Sequence, residues 1–118
     1  MRPTVVIIDD HAPFRRSARA VLEVDGYAVV GEAADVAQAH EVVRRLRPDI
    51  VLLDIALPDG SGLDVAQELT PGPWQVVLVS SRSSRDVGPR VRTCGAVGFI
   101  PKDELSGETL AATLETTA

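Results

Sequence analysis

The 118 residues are enough for one domain with a buried core and too few for two, so residues 1–118 are read as one domain. A formal charge of −5 leaves the chain without the cation excess that a phosphate backbone demands, which excludes direct nucleic-acid binding by this chain. The lone Cys94 excludes an internal disulfide, and no apolar run suits a signal peptide or a membrane span, so a reducing, cytoplasmic setting is expected.

Val5 to Ile8 is an unbroken β-branched run, the pattern of a strand buried on both faces, and it stops on Asp9-Asp10. Pro13 opens the next segment, where Phe14, Ala18, Val21 and Leu22 share one helical face and Arg15, Arg16 and Arg19 fall outside it. That helix is expected to end near Asp25-Gly26, and Tyr27 to Ala33 supplies a second strand. Asp35 with Gln38 resembles a capping box ahead of Val36, Ala39, Val43 and Leu46 at helical spacing, and Pro48 stops that helix. Val51 to Leu53 forms a third buried strand that closes on Asp54, and Pro58 to Gly62 is the loop that leaves it. Ser61 and Asp64 can cap a short helix carrying Leu63, Ala66 and Leu69, which Pro71-Gly72-Pro73 ends.

Val76 to Val79 is a fourth buried strand running into Ser80-Ser81. The helix expected from Arg85 to Cys94 should be short, late-starting or mobile, because Gly88-Pro89 falls inside it and an interior proline costs about 3 kcal/mol. Val97 to Ile100 reads as a fifth strand, suited to a sheet edge by Gly98 and Pro101, and it leads to Lys102. Ser106 and Glu108 open a last helix that buries Leu110 and Leu114. Five strands alternating with five helices predict an α/β fold, a parallel sheet in the order 2-1-3-4-5 with helices on both faces. That order puts the ends of the first and third strands side by side at the switch point where ligands bind.

Asp9, Asp10 and Asp54 therefore converge, with Ser80 and Lys102 arriving from the next two strands. Carboxylates about 5 Å apart repel by roughly 3 kcal/mol per pair at an effective dielectric near 20. Such a cluster calls for a cation, and hard oxygen donors with positions left for water suit Mg²⁺. Lys102 offers a compact charge on a flexible stem, able to grip a phosphoryl oxygen. A carboxylate such as Asp54 can act as nucleophile and form an aspartyl-phosphate, with Ser80 placed to hydrogen-bond the transferred group.

Over its whole length the chain resembles a bacterial response-regulator receiver domain. The matching residues are Asp9-Asp10, the phosphoacceptor Asp54, the loop Leu57-Pro58 to Gly62, Ser80 as switch hydroxyl, Gly95-Ala96, Phe99 as switch aromatic, and Lys102. The runs Ile7 to His11, Gly31-Glu32-Ala33 and Gly98 to Lys102 are similar to the subfamily with a C-terminal helix-turn-helix output domain. The resemblance implies phosphorylation by a sensor histidine kinase and Mg²⁺ held by Asp10, Asp54 and the backbone carbonyl of Ala56. It also implies a changed surface over the fourth helix, fifth strand and fifth helix, a possible homodimer, and DNA contact only through a helix-turn-helix domain if one exists. Phosphate on Asp54 is expected to draw the Ser80 hydroxyl inward and vacate space for Phe99.

Ser81, where many receivers carry Ala or Gly, narrows the approach to Asp54; Phe99 lacks the hydroxyl of a tyrosine; and Asp103 follows Lys102 in place of the frequent proline. His11 is expected to be solvated or capping rather than a metal ligand, His40 to lie on the surface, and Trp74 to pack in the core or at its rim. The basic face of Arg15, Arg16 and Arg19 reads either as a solvated surface or as the place where the family docks its kinase. The competing functions are a receiver-like interaction module that works without phosphorylation and a flavodoxin-like cofactor binder. The acidic first loop argues against the second, since it repels a flavin phosphate. A haloacid-type phosphohydrolase would want an acid where Ala56 stands.

Overall fold

The computed structural model describes residues 2–81 and 88–115. In chain order these form β1 (Thr4–Ile8), α1 (Ala12–Val24), β2 (Ala28–Ala33), α2 (Val36–Leu46), β3 (Ile50–Asp54), β4 (Ala56–Leu57), β5 (Gly60–Ser61), α3 (Gly62–Leu69), β6 (Gln75–Ser80), β7 (Gly98–Pro101) and α4 (Gly107–Glu115). Five strands make one parallel sheet in the order β2-β1-β3-β6-β7, while β4 and β5 pair as a small antiparallel hairpin outside it. With the hairpin set aside this is the expected 2-1-3-4-5 order, and the edge position expected for the last strand holds for β7.

Alternation along the buried strands sends side chains to opposite faces. Val6, Ile8, Val51, Leu53, Val76 and Leu78 pack under α2 and α3, where they meet Ala39, Val43, Ala66 and Leu69. Val5, Ile7, Ile50, Leu52, Val77 and Val79 face α1 and α4, where they meet Ala18, Leu22 and Leu110. The centre of the sheet is thus dry on both sides, which leaves the carboxyl ends of the strands as the places where polar groups can collect.

Local chemistry sets the element ends. Asp35 caps α2 by accepting from Gln38 N at 2.8 Å, while Gln38 reaches back to Ala34 N at 3.1 Å, one residue before the position a capping box uses. Asp59, in the turn of the β4–β5 hairpin, adds a second cap by accepting from Val36 N at 2.8 Å and Ala37 N at 3.4 Å. Ser61 caps α3 through Leu63 N, and Ser106 caps α4 through Thr109 N. Asp25 closes α1 and also accepts from Gly107 N at 2.9 Å, joining the end of α1 to the start of α4.

Two expectations are corrected. Of the helix expected between Arg85 and Cys94, residues 85–87 lie outside the described residues, and the remainder makes only a 3-10 turn over Pro89–Arg92. Gly88, at φ +86°, departs from helical geometry immediately before Pro89, so the described residues carry four α-helices rather than five. Val21, assigned to the buried face of α1, is 36% exposed at the rim of its stripe. The second strand is irregular: its register against β1 shifts between Val5 and Val6, which leaves Val30 unpaired and exposed.

Candidate phosphoacceptor site

The fold brings the carboxyl ends of β1, β3, β6 and β7 to one edge. Asp9 follows β1 and is fully buried; its N–H donates to Ala33 O at 2.9 Å, and its Oδ1 accepts from His11 N at 2.8 Å. Asp10, the next residue, is exposed at the mouth. Asp54 is the last residue of β3 and is 5% exposed; its Oδ1 accepts from Ala56 N at 3.2 Å. Ser80 ends β6 and is also buried.

Lys102 enters from the turn after β7. Its Nζ lies 2.6 Å from Asp9 Oδ2 and 3.2 Å from Asp54 Oδ2, and 4.7 Å from the centroid of the Phe14 ring on α1. One cation therefore bridges two buried carboxylates while an aromatic face supports it from the side. Burial pushes the Asp54 carboxyl above the usual carboxylate range, the Asp9 charge pushes the same way, and Lys102 and the Ala56 N–H oppose them. Burial alone would lower the Lys102 ammonium, but Asp9 and Asp54 overcome it and raise it above its ordinary value. A single positive charge thus leaves the acids under-compensated.

The residues present fit a divalent ion. Asp9, Asp10 and Asp54 can each present an oxygen, all lying within 4.8 Å of one another. Asp9 Oδ2 is wholly buried and, among the described residues, is met only by the Lys102 ammonium. This is an all-oxygen donor set with one solvent-facing member, the chemistry that Mg²⁺ takes. The acids open into a cleft of about 820 Å³ whose walls include Asp10, Phe14, Asp54, Ala56, Ser80 and Lys102.

The cleft collects every expected site residue except two. Asp9 lies beneath it. Phe99 is half-buried on β7 and packs with the cluster under α2 and α3, lining a separate cleft with Val91 and Pro101. Ser81 stands at the cleft wall beside Ser80. His11 is exposed at the N-cap of α1 and its side chain makes no capping bond, so of the two roles expected for it the solvated one holds. His40 is less exposed than expected, with Nε2 2.8 Å from Glu68 Oε1 on α3. Trp74 packs at the core rim and donates from Nε1 to Leu69 O at 2.7 Å.

Sequence reasoning missed two groups beside the site. Phe14 was assigned to the core face, but it also supports Lys102. The basic face of Arg15, Arg16 and Arg19 is expected either as a solvated surface or as a kinase-docking place, and in the fold Arg15 and Arg19 both grip Glu32 on β2. No local pattern in the sequence ties Glu32 to these arginines, which stand 17 and 13 residues away from it.

A family model described as the response regulator receiver domain matches residues 5–115, and the chain belongs to that family. The chain is 34% identical over 99 residues to the transcriptional regulatory protein PdtaR of Mycobacterium tuberculosis, covering 83% of this chain and 48% of that protein. It is 38% identical over 105 residues to a protein-glutamate methylesterase/protein-glutamine glutaminase of Xanthomonas campestris, covering 86% of this chain and 29% of that one. Among solved structures, the signal receiver domain of the response regulator NarL from Mycobacterium tuberculosis superposes with a TM-score of 0.86 at 33% identity, covering 98% of this chain and 95% of that chain. The chain thus spans about half of PdtaR and under a third of the methylesterase. It is a receiver domain of the two-component type, a phosphoacceptor class rather than a turnover enzyme, whose members bind Mg²⁺ at an acidic pocket and work with histidine kinases. Among the described residues no helix is long and apolar enough to cross a membrane.

Proposed function

We propose that residues 1–118 act as one receiver domain in which Asp54 accepts a phosphoryl group from the phosphohistidine of a sensor histidine kinase. The observation that carries this reading is the Asp54 carboxylate at the end of β3, buried, held at one oxygen by Ala56 N–H and facing Lys102 with the other. An Asp54 oxygen attacks phosphorus in line, the P–O bond forms as the P–N bond to the donor imidazole breaks, and the imidazole leaves with its electron pair. Lys102 passes from its ion pair with Asp54 to the oxygens of the arriving group, while the Ser80 hydroxyl, which lines the same cleft, donates a hydrogen bond to one of them. Asp9, Asp10, Asp54 and the backbone carbonyl of Ala56 would hold Mg²⁺. When bound, that ion offsets the repulsion among the acids and withdraws charge from the transferring phosphoryl group.

Ser80 and Phe99 are the proposed switch. A phosphoryl group on Asp54 offers the Ser80 hydroxyl a charged acceptor, and the inward shift of Ser80 at the end of β6 vacates space that changes how Phe99 packs on β7. The altered surface controls pairing of two copies of the domain or contact with an output domain, and through that domain transcription in the cytoplasm. PdtaR, a transcriptional regulatory protein by name, supports this last step.

Beryllofluoride mimics a phosphoryl group on aspartate. With Mg²⁺ present, fluorine NMR is expected to show bound resonances for the native chain and none for Asp54→Asn. A native chain that gives none favours an interaction module that works without phosphorylation.

A further inference from the structure

The Asp10 carboxylate has no hydrogen-bond or ion-pair partner among the described residues, yet it stands within reach of Asp9 and Asp54. No side-chain bond holds it, so its backbone is the constraint that the described residues place on it, and the peptide that joins Asp9 to Asp10 carries that constraint. That peptide is held from outside the cleft. The Asp9 N–H is fixed to Ala33 O on β2, and the Asp9 carbonyl accepts a short hydrogen bond from Nη1 of Arg15. The same guanidinium donates from Nε to Glu32 Oε1 at 2.9 Å. Glu32 is in turn held by Arg19, from Nε at 3.0 Å and Nη2 at 2.8 Å. The two arginines keep the Glu32 carboxyl below its usual range against the opposing effect of burial.

We propose that Arg15 is a positioning residue for the divalent-ion site: anchored by Glu32, its planar fork fixes the Asp9–Asp10 peptide and so aims the Asp10 carboxylate at the ion. Only a fork does this, since one donor reaches β2 and another reaches the loop after β1. Arg19 is the natural control. It grips the same Glu32 and also donates to Val29 O at 3.0 Å, but no bond joins it to Asp9 or Asp10. The proposal rests on the reading of the acids as a Mg²⁺ site. Outer groups that orient metal ligands are worth about 10–100-fold in affinity.

The test is calorimetric titration of the full chain with MgCl₂ alone, with circular dichroism and thermal melting recorded on each variant. Arg15→Ala is expected to weaken Mg²⁺ binding by about 10-fold or more, within the range for outer-shell groups. Arg15→Lys, which keeps the charge but loses the fork, should weaken it several-fold, and Glu32→Gln should shift it the same way. Arg19→Ala should lower the melting temperature yet leave Mg²⁺ affinity within about twofold, below the loss expected of an outer-shell group. If Arg15→Ala does not fold, Arg15→Lys and Glu32→Gln decide. Native affinity in Arg15→Lys shows that charge alone suffices, and equal weakening in Arg19→Ala shows a general loss of packing; either overturns the proposal. A native chain that binds no Mg²⁺ overturns instead the reading of the site on which it rests.

Discussion

Gly62→Ala is expected to damage both the fold and the site through one methyl group. Gly62 opens α3 directly against the end of β3, and its N–H donates to Ile55 O at 2.6 Å. A Cβ there would fall well inside van der Waals contact of the Asp54 carbonyl oxygen and 2.8 Å from Ile55 Cα. Both obstacles are backbone, so no side chain can rotate away; either α3 retreats from Leu53 and Leu78 or the β3 end moves. Forced overpacking of this kind costs about 1–3 kcal/mol. Losing the Gly62–Ile55 bond adds about 1 kcal/mol. The sum, about 2–4 kcal/mol, is a large share of the roughly 5–15 kcal/mol that holds a domain together. It should lower Tm by about 10 °C. Urea unfolding followed by the fluorescence of Trp74, the only tryptophan, measures it. The β3 end carries Asp54 and leads to Ala56, so Mg²⁺ affinity should fall in the same variant. A loss of stability below about 0.5 kcal/mol, the scale of a neutral surface change, would refute the close-approach argument.

The acids should leave a pH signature in Mg²⁺-free buffer. A raised Asp54 carboxyl contributes stability that is fully present below its unfolded value of 3.8 and lost as pH rises through the folded value, so Asp54→Asn should gain on the native chain as pH climbs through the acid range. Urea midpoints collected from acid to neutral pH check this, and a gap that shrinks on raising pH contradicts it. Lys102 titrates on the other side: its stabilisation is complete below 10.5 and should fade only as pH rises through its raised folded value, a loss that Lys102→Met should lack in alkaline melts. Ser80→Ala should still take up a phosphoryl group yet lose the change at Phe99 and the output surface, read by amide chemical shifts with and without beryllofluoride; normal signalling by that variant breaks the proposed coupling. Asp59→Ala should cost about 1 kcal/mol by removing the second cap on α2 while Asp35 stays in place, seen as a lower urea midpoint.

The sheet was readable because each central strand is buried on both faces and so appears as an uninterrupted apolar run, with the polar residue that ends it marking the site. Asp9, Asp54 and Ser80 stand at such ends, and the 2-1-3-4-5 order places them together. Helix caps were equally visible at Asp35, Ser61 and Ser106, because capping depends on neighbours three residues away or fewer. What depended on distant partners was not visible. Helical periodicity assigns Arg15 and Arg19 to the outside of α1 but says nothing of Glu32, which reaches them from β2. Phe14 satisfied the apolar pattern of α1, and only the fold puts its ring against Lys102. Asp59 read as a turn residue, yet it caps a helix far along the chain from it. The conflict at Gly88-Pro89 was legible as a conflict, and among the described residues it yields a single 3-10 turn.

The central claim is that Asp54 is the group that takes the phosphoryl. Incubation with phosphoramidate and Mg²⁺, followed by intact-mass measurement and borohydride trapping of the acyl phosphate, addresses it directly. The native chain should gain one phosphoryl group, trapped at Asp54, and should gain none when Mg²⁺ is chelated or when Asp54 is replaced by Asn. Labelling of Asp54→Asn to the native extent, or no labelling of the native chain, would contradict the account.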